Sequence, residues 1–163
     1  MTSEAIGLAG FNDLSTVDAE QALLACCAAP TWARVLRETR PYPTVAALLA
    51  TADAALAGLD EAAVDAALAA HPRIGERTDS PALAREQAGV EDAVRTALAE
   101  GNRAYEAKFG HRYLVCAAGR TGTELLAILT ARLDHDPATE RQVMRTELAK
   151  INRSRLARLV GQS

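Results

Sequence analysis

The chain has 163 residues, 49% of them hydrophobic and 24% charged, with a formal net charge of -3. That is the composition of a folded globular chain long enough to bury a core, and it excludes a disordered one. The charges of both signs are interspersed without a basic patch, which argues against nucleic acid as a partner, and no apolar run approaches the ~18 residues of a membrane span. The N-terminus lacks the basic and apolar regions of a secretory signal, and the C-terminal Gly-Gln-Ser is not a peroxisomal address, so a cytoplasmic location is expected. Three cysteines, Cys26, Cys27 and Cys116, are an odd count in apolar runs with no C-x-x-C, which reads as buried reduced thiols.

Abundant alanine and few β-branched or aromatic residues favour helix throughout. In chain order, Ser15 with Asp18 opens a helix to about Ala28. Pro30 interrupts, and a short helix with Trp32, Val35 and Leu36 on one face follows. Thr44 caps a helix carrying Val45, Leu48, Leu49, Ala52 and Leu56, closed by Gly58. Asp60 caps another with Val64, Ala67 and Leu68 inward. It must stop near His71, because Pro72 disfavours the α conformation in the residue before it. Ser80-Pro81 starts a short helix ending at Gly89. Glu91 to Phe109 reads as a long helix with Val94, Leu98, Gly101 and Tyr105 along a seam, ended by Gly110. The run Tyr113, Leu114, Val115, Cys116, Ala117 looks extended. Thr121 and Glu124 form a capping box for a helix through Leu133, and Asp136-Pro137 starts a last helix to about Val160. The expected fold is all-α: one domain over residues 1–163, a bundle of about eight helices.

Three places depart from this local logic, as functional sites do. In His71-Pro72-Arg73-Ile74-Gly75-Glu76, an imidazole is presented at a helix end on a backbone stiffened by proline. Glu86-Gln87 lies on the short helix after Pro81, where a solvated face is the plainer reading. In the last helix Met144, Leu148, Ile151 and Arg155 form one stripe. A guanidinium on an apolar stripe must snorkel out or find an anion, and a carboxylate suits its planar fork. No H-x-x-x-H, Cys/His ligand cluster, phosphate-binding loop or dinucleotide fingerprint occurs, so neither a metal nor a cofactor is expected.

The segment His71-Pro72-Arg73-Ile74-Gly75 resembles the H-P-x-x-G signature of the 2-oxo-4-hydroxy-4-carboxy-5-ureidoimidazoline (OHCU) decarboxylase family. Four further stretches follow at the family's spacing. These are Glu86-Gln87-Ala88-Gly89, then Asn102-x-x-Tyr105-Glu106-x-x-Phe109-Gly110, then the run from Tyr113 to Ala117, and Lys150-Ile151 with Arg155-Leu156. The likeness runs from Phe11-Asn12 into the last helix. It implies an all-α fold, usually dimeric, and a place in urate breakdown, with the substrate formed by 5-hydroxyisourate hydrolysis and (S)-allantoin as product.

By that resemblance His71 would be the catalytic acid/base, with Glu86 beside it. Pro72, Leu83, Ala84, Arg85, Glu86, Gln87, Tyr113, Leu114, Val115, Cys116, Ala117 and Arg155 would contact the substrate. The family often has serine three residues before the glutamate, where this chain has Leu83. A small-molecule substrate, no nucleic acid, no membrane and a homodimer are the implied partners. Two other readings compete: a helical interaction module that keeps the fold without catalysis, and a lyase or hydrolase for a related ureido compound.

Overall fold

Five side chains read as helix caps act as caps in the computed structural model, which describes residues 5–74 and 92–161. Ser15, Thr44 and Asp60 accept the backbone N–H three residues on, and Asp136 Oδ1 accepts Thr139 N–H at 2.8 Å. Thr121 and Glu124 close a reciprocal capping box. Each satisfies amides that a helix start leaves without an intrahelical partner. The described residues form eight helices and no strand: α1 Gly7–Asp13, α2 Thr16–Cys26, α3 Pro30–Glu38, α4 Val45–Ala57, α5 Glu61–Ala69, α6 Asp92–Phe109, α7 Gly122–Arg132 and α8 Pro137–Leu159.

The all-α expectation holds, but the set of helices differs from the one expected. Helix α1 was not anticipated: its N-cap, Ile6, makes no side-chain cap bond, so local sequence does not announce it. The helix expected from Ser80 to Gly89 lies outside the described residues. Helix α2 ends at Cys26 rather than Ala28. Pro30 sits in the first turn of α3, and Ala29 before it is held extended, so the chain must leave the helix earlier.

The chain gathers into two compact units, one of residues 1–70 with 149–163 and the other of 71–148. The first is organised around Trp32, wholly buried, whose indole N–H donates to Ala52 O at 3.1 Å. In it Arg40 Nη1 donates to Phe11 O at 2.8 Å and Leu14 O at 2.9 Å, tying down the carbonyl end of α1.

The second unit packs α6 against α7 around Leu98, Tyr105, Leu125 and Leu129. The seam expected through Gly101 is real. A Cβ at Gly101 would lie 2.4 Å from Leu129 Cδ2, and Leu129 is fully buried. Gly101→Val is therefore expected to destabilise the protein by about 1–3 kcal/mol through overpacking, despite valine's better helix propensity. Chemical denaturation checks this, and an unchanged midpoint would contradict the close approach.

Candidate active site

Helix α5 stops where the sequence says it must. Ala69 is its last residue and Ala70 its cap, and His71-Pro72 leaves the helix. His71 is 6% exposed. Proline is only part of what stiffens the loop that follows. Arg112 Nη1 donates to the His71 carbonyl at 2.5 Å. Arg73 Nε pairs with Glu106 Oε1 at 3.0 Å, and Asn102 Nδ2 donates to Ile74 O at 3.0 Å. The segment from His71 to Ile74 is thus held at two backbone carbonyls and through the Arg73 side chain, with two of the three partners on α6. None of these roles was read from the sequence, though Asn102 and Glu106 stand in the stretches that carry the family resemblance.

Beside this loop opens a cavity of about 370 Å³, with Arg73, Arg95 and Arg103 on its walls against one carboxylate, Glu106. Its surplus of positive charge favours anions. Arg73 and Arg95 are, however, already engaged in further polar contacts.

The two other histidines have evident local partners. His111 Nδ1 lies 3.1 Å from Arg112 O with its ring edge-on to Tyr105, and His135 Nδ1 lies 3.1 Å from Glu140 Oε1.

Residues 113–117 belong to no helix or strand, and the placing of their side chains divides the expected substrate wall. Tyr113, Val115 and Ala117 enter the core of the second unit, with Tyr113 Oη donating to Leu125 O at 3.0 Å. Leu114 is buried but not part of that cluster, and Cys116 is half-buried. Of the five, only Leu114 and Cys116 keep side chains clear of this core.

Against the 113–117 segment sits a buried ion pair that the sequence reading did not include. Arg132 and Glu140 are 4% and 0% exposed. The guanidinium meets the carboxylate through Nε at 2.9 Å and Nη2 at 2.6 Å, and its Nη1 reaches Leu114 O at 2.7 Å. Tyr105 Oη also donates to Glu140. Burial raises the Glu140 carboxyl, but the hydrogen bonds of Arg132 and Tyr105 and the guanidinium charge outweigh it, leaving it below its ordinary value. Burial pushes both the Tyr105 and Tyr113 phenols well above the usual tyrosine range.

In the first unit Arg155 is half-buried, and its Nη1 donates to Cys26 O at 3.1 Å, the last carbonyl of α2. That position suits a cation, since carbonyl dipoles converge there. Burial pushes the neighbouring Cys27 thiol up to about 11. None of the three cysteines forms a disulfide; Cys26 and Cys27 are buried.

Leu83, Ala84, Arg85, Glu86 and Gln87 lie outside the described residues. Among the described residues no group of three or more His, Cys, Asp or Glu side chains could hold a metal ion, and no helix is long and apolar enough to cross a membrane.

Comparison with known proteins agrees with the motif reading. The chain is 30% identical over 146 residues to the uric acid degradation bifunctional protein TTL of Arabidopsis thaliana, a match covering 82% of this chain. It spans 45% of that protein's length, so the likeness concerns less than half of the curated relative. A crystal structure of OHCU decarboxylase in the presence of (S)-allantoin superposes with a TM-score of 0.77 at 27% identity, over 88% of this chain and 99% of that one. The crystal structure of (S)-allantoin synthase shares the fold, with a TM-score of 0.73 at 19% identity over 92% of this chain and 52% of that one. The family profile of OHCU decarboxylase matches residues 12–157, from α1 into the last turn of α8, and with that span the chain belongs to the OHCU decarboxylase family.

Proposed function

We propose that this chain is a cofactor-independent carboxy-lyase that converts OHCU to (S)-allantoin in urate breakdown, with His71 as general acid/base. The observation that carries the reading is the family match across residues 12–157, which includes a buried His71 on a pinned loop. Because that match is continuous, residues 1–163 are taken as one decarboxylase domain.

The chemistry asks little beyond placement. Breaking the bond to the carboxylate leaves an electron pair that needs a sink, and the substrate supplies one in its adjacent C=N bond. The protein must place the carboxylate, shield one face and deliver one proton, and the face that receives the proton sets the handedness of the product. An imidazole titrating near neutrality suits that delivery. In this account Arg155 anchors the carboxylate. Pro72, Leu83, Ala84, Arg85 and Gln87 line the substrate with the 113–117 segment, and Glu86 either orients His71 or accepts the ureido N–H groups. Tyr113, Val115 and Ala117 contribute backbone rather than side chain, since their side chains serve the core. A homodimer in the cytoplasm completes the proposal on the strength of the family resemblance, and light scattering checks the assembly.

Release of CO₂ from freshly generated substrate tests the reading. The protein should accelerate it well above spontaneous decay, and a rate equal to the uncatalysed one would favour the non-catalytic module.

Arg155→Lys should raise KM by roughly tenfold while the charge is kept, because an ammonium cannot give a carboxylate two parallel hydrogen bonds. The Cys26 carbonyl provides the rival role: if Arg155 only caps α2, the melting temperature falls and KM stays unchanged. Measuring both on one variant separates the two.

A further inference from the structure

A mostly buried segment that belongs to no helix, with no strand among the described residues to pair with it, must find partners for its backbone groups elsewhere. For residues 113–117 side chains supply several of them, while Ala117 O accepts from the Arg120 N–H at 3.1 Å. Leu114 O accepts from Arg132 Nη1 at 2.7 Å, and Cys116 O accepts from Arg120 Nε at 3.2 Å. The Cys116 N–H donates to Glu147 Oε1 at 3.1 Å. Glu147 stands on α8 and is 6% exposed.

A neutral acceptor would satisfy a backbone amide, and desolvating a carboxylate is costly. What the carboxylate adds is a stronger, charge-assisted bond. It is placed at Cys116, the one residue of the five that is not fully buried. The neighbours Val115 and Ala117 are held by packing, whereas Cys116 is held from α8 by its amide.

We propose that Glu147 is a positioning residue: by gripping the Cys116 N–H it sets how far the 113–117 wall reaches toward the substrate, and so how completely one face is shielded during protonation. The inference rests on reading 113–117 as a substrate wall. As a positioning residue Glu147 acts through the Cys116 amide that it accepts from. Loosening the grip should therefore let the wall recede, weaken binding and admit protonation from the wrong face.

The test compares Glu147→Leu with Glu147→Gln, reading KM, the enantiomeric excess of allantoin, the melting temperature and hydrogen exchange at the Cys116 amide. Glu147→Leu should raise KM roughly tenfold, lower the enantiomeric excess and speed Cys116 exchange. Glu147→Gln keeps an acceptor but loses the charge, so its KM should fall between those of wild type and Glu147→Leu, with the product's handedness largely retained. A purely structural role predicts a lower melting temperature with KM and enantiomeric excess unchanged, and that result overturns the proposal. Should Glu147→Leu not fold, Glu147→Asp draws the carboxylate back by one methylene. It should show the same shifts in KM and handedness, and their absence overturns the proposal equally. The wild-type protein is assayed first. If it forms no catalysed product, the decarboxylase reading has failed, and unchanged Cys116 exchange in the folded variants would then sink the grip itself.

Discussion

His71→Asn will lower turnover by about 10²–10⁴-fold, the usual worth of a positioned general acid or base, while leaving the fold intact. The fold should survive because the pinning contacts do not use the ring. Arg112 holds the His71 carbonyl, and Glu106 and Asn102 hold Arg73 and Ile74. Asparagine keeps the backbone and much of the polarity but cannot exchange a proton near neutral pH. The pH profile is the sharper readout. The imidazole limb of kcat/KM in wild type should vanish from the residual activity of the variant. A folded variant with wild-type rate would show that the proton comes from another group.

Glu140→Ala will be the most destabilising single change among the charged residues discussed, by about 3–5 kcal/mol, which lowers the melting temperature by roughly 10 °C. The cost arises from what remains. Arg132, 4% exposed, keeps its charge and loses the carboxylate that meets two of its nitrogens, and Tyr105 loses its acceptor. Replacing Arg132 by Met and Glu140 by Leu together should recover much of the loss, since no buried charge is then left alone.

The pair also gives an acid limb with a definite sign. The native carboxyl lies below its ordinary value of 4.5, so its contribution is fully present above that value and is lost as pH falls through the lower folded value. Wild-type stability should thus fall below about pH 4.5, and Glu140→Gln should lack that part of the slope. Equal acid slopes in the two proteins would show that Glu140 does not carry the linkage.

What was legible in the sequence was local. Caps from Ser15 to Asp136 act within three residues, and Pro72 ends α5 by acting on its immediate neighbour. Helix α1 was missed because what holds it is distant: Arg40 reaches back to the carbonyls of Phe11 and Leu14. The break in the helices at residues 113–117 was visible, but the division of its side chains was not. All five residues are apolar enough that the two-residue period leaves no polar alternation to read.

Arg155 is a charge on an apolar helical stripe, and so is Arg132 after Leu125 and Leu129. Glu140 and Glu147 flank Met144 in the same way, so the sequence alone marks all three as candidates for buried polar contacts. Their pairing, across the turn from α7 to α8 and from α8 to residue 116, needed the fold.

The central claim is tested most directly by the handedness of the product. Urate is oxidised and hydrolysed in situ so that fresh OHCU meets the protein, and circular dichroism follows the allantoin formed. Spontaneous decay gives a racemate without signal. The account predicts a fast signal of the sign of (S)-allantoin with the wild-type chain, and at least a hundredfold slower appearance with His71→Asn. A racemic product formed no faster than in the absence of protein would contradict it.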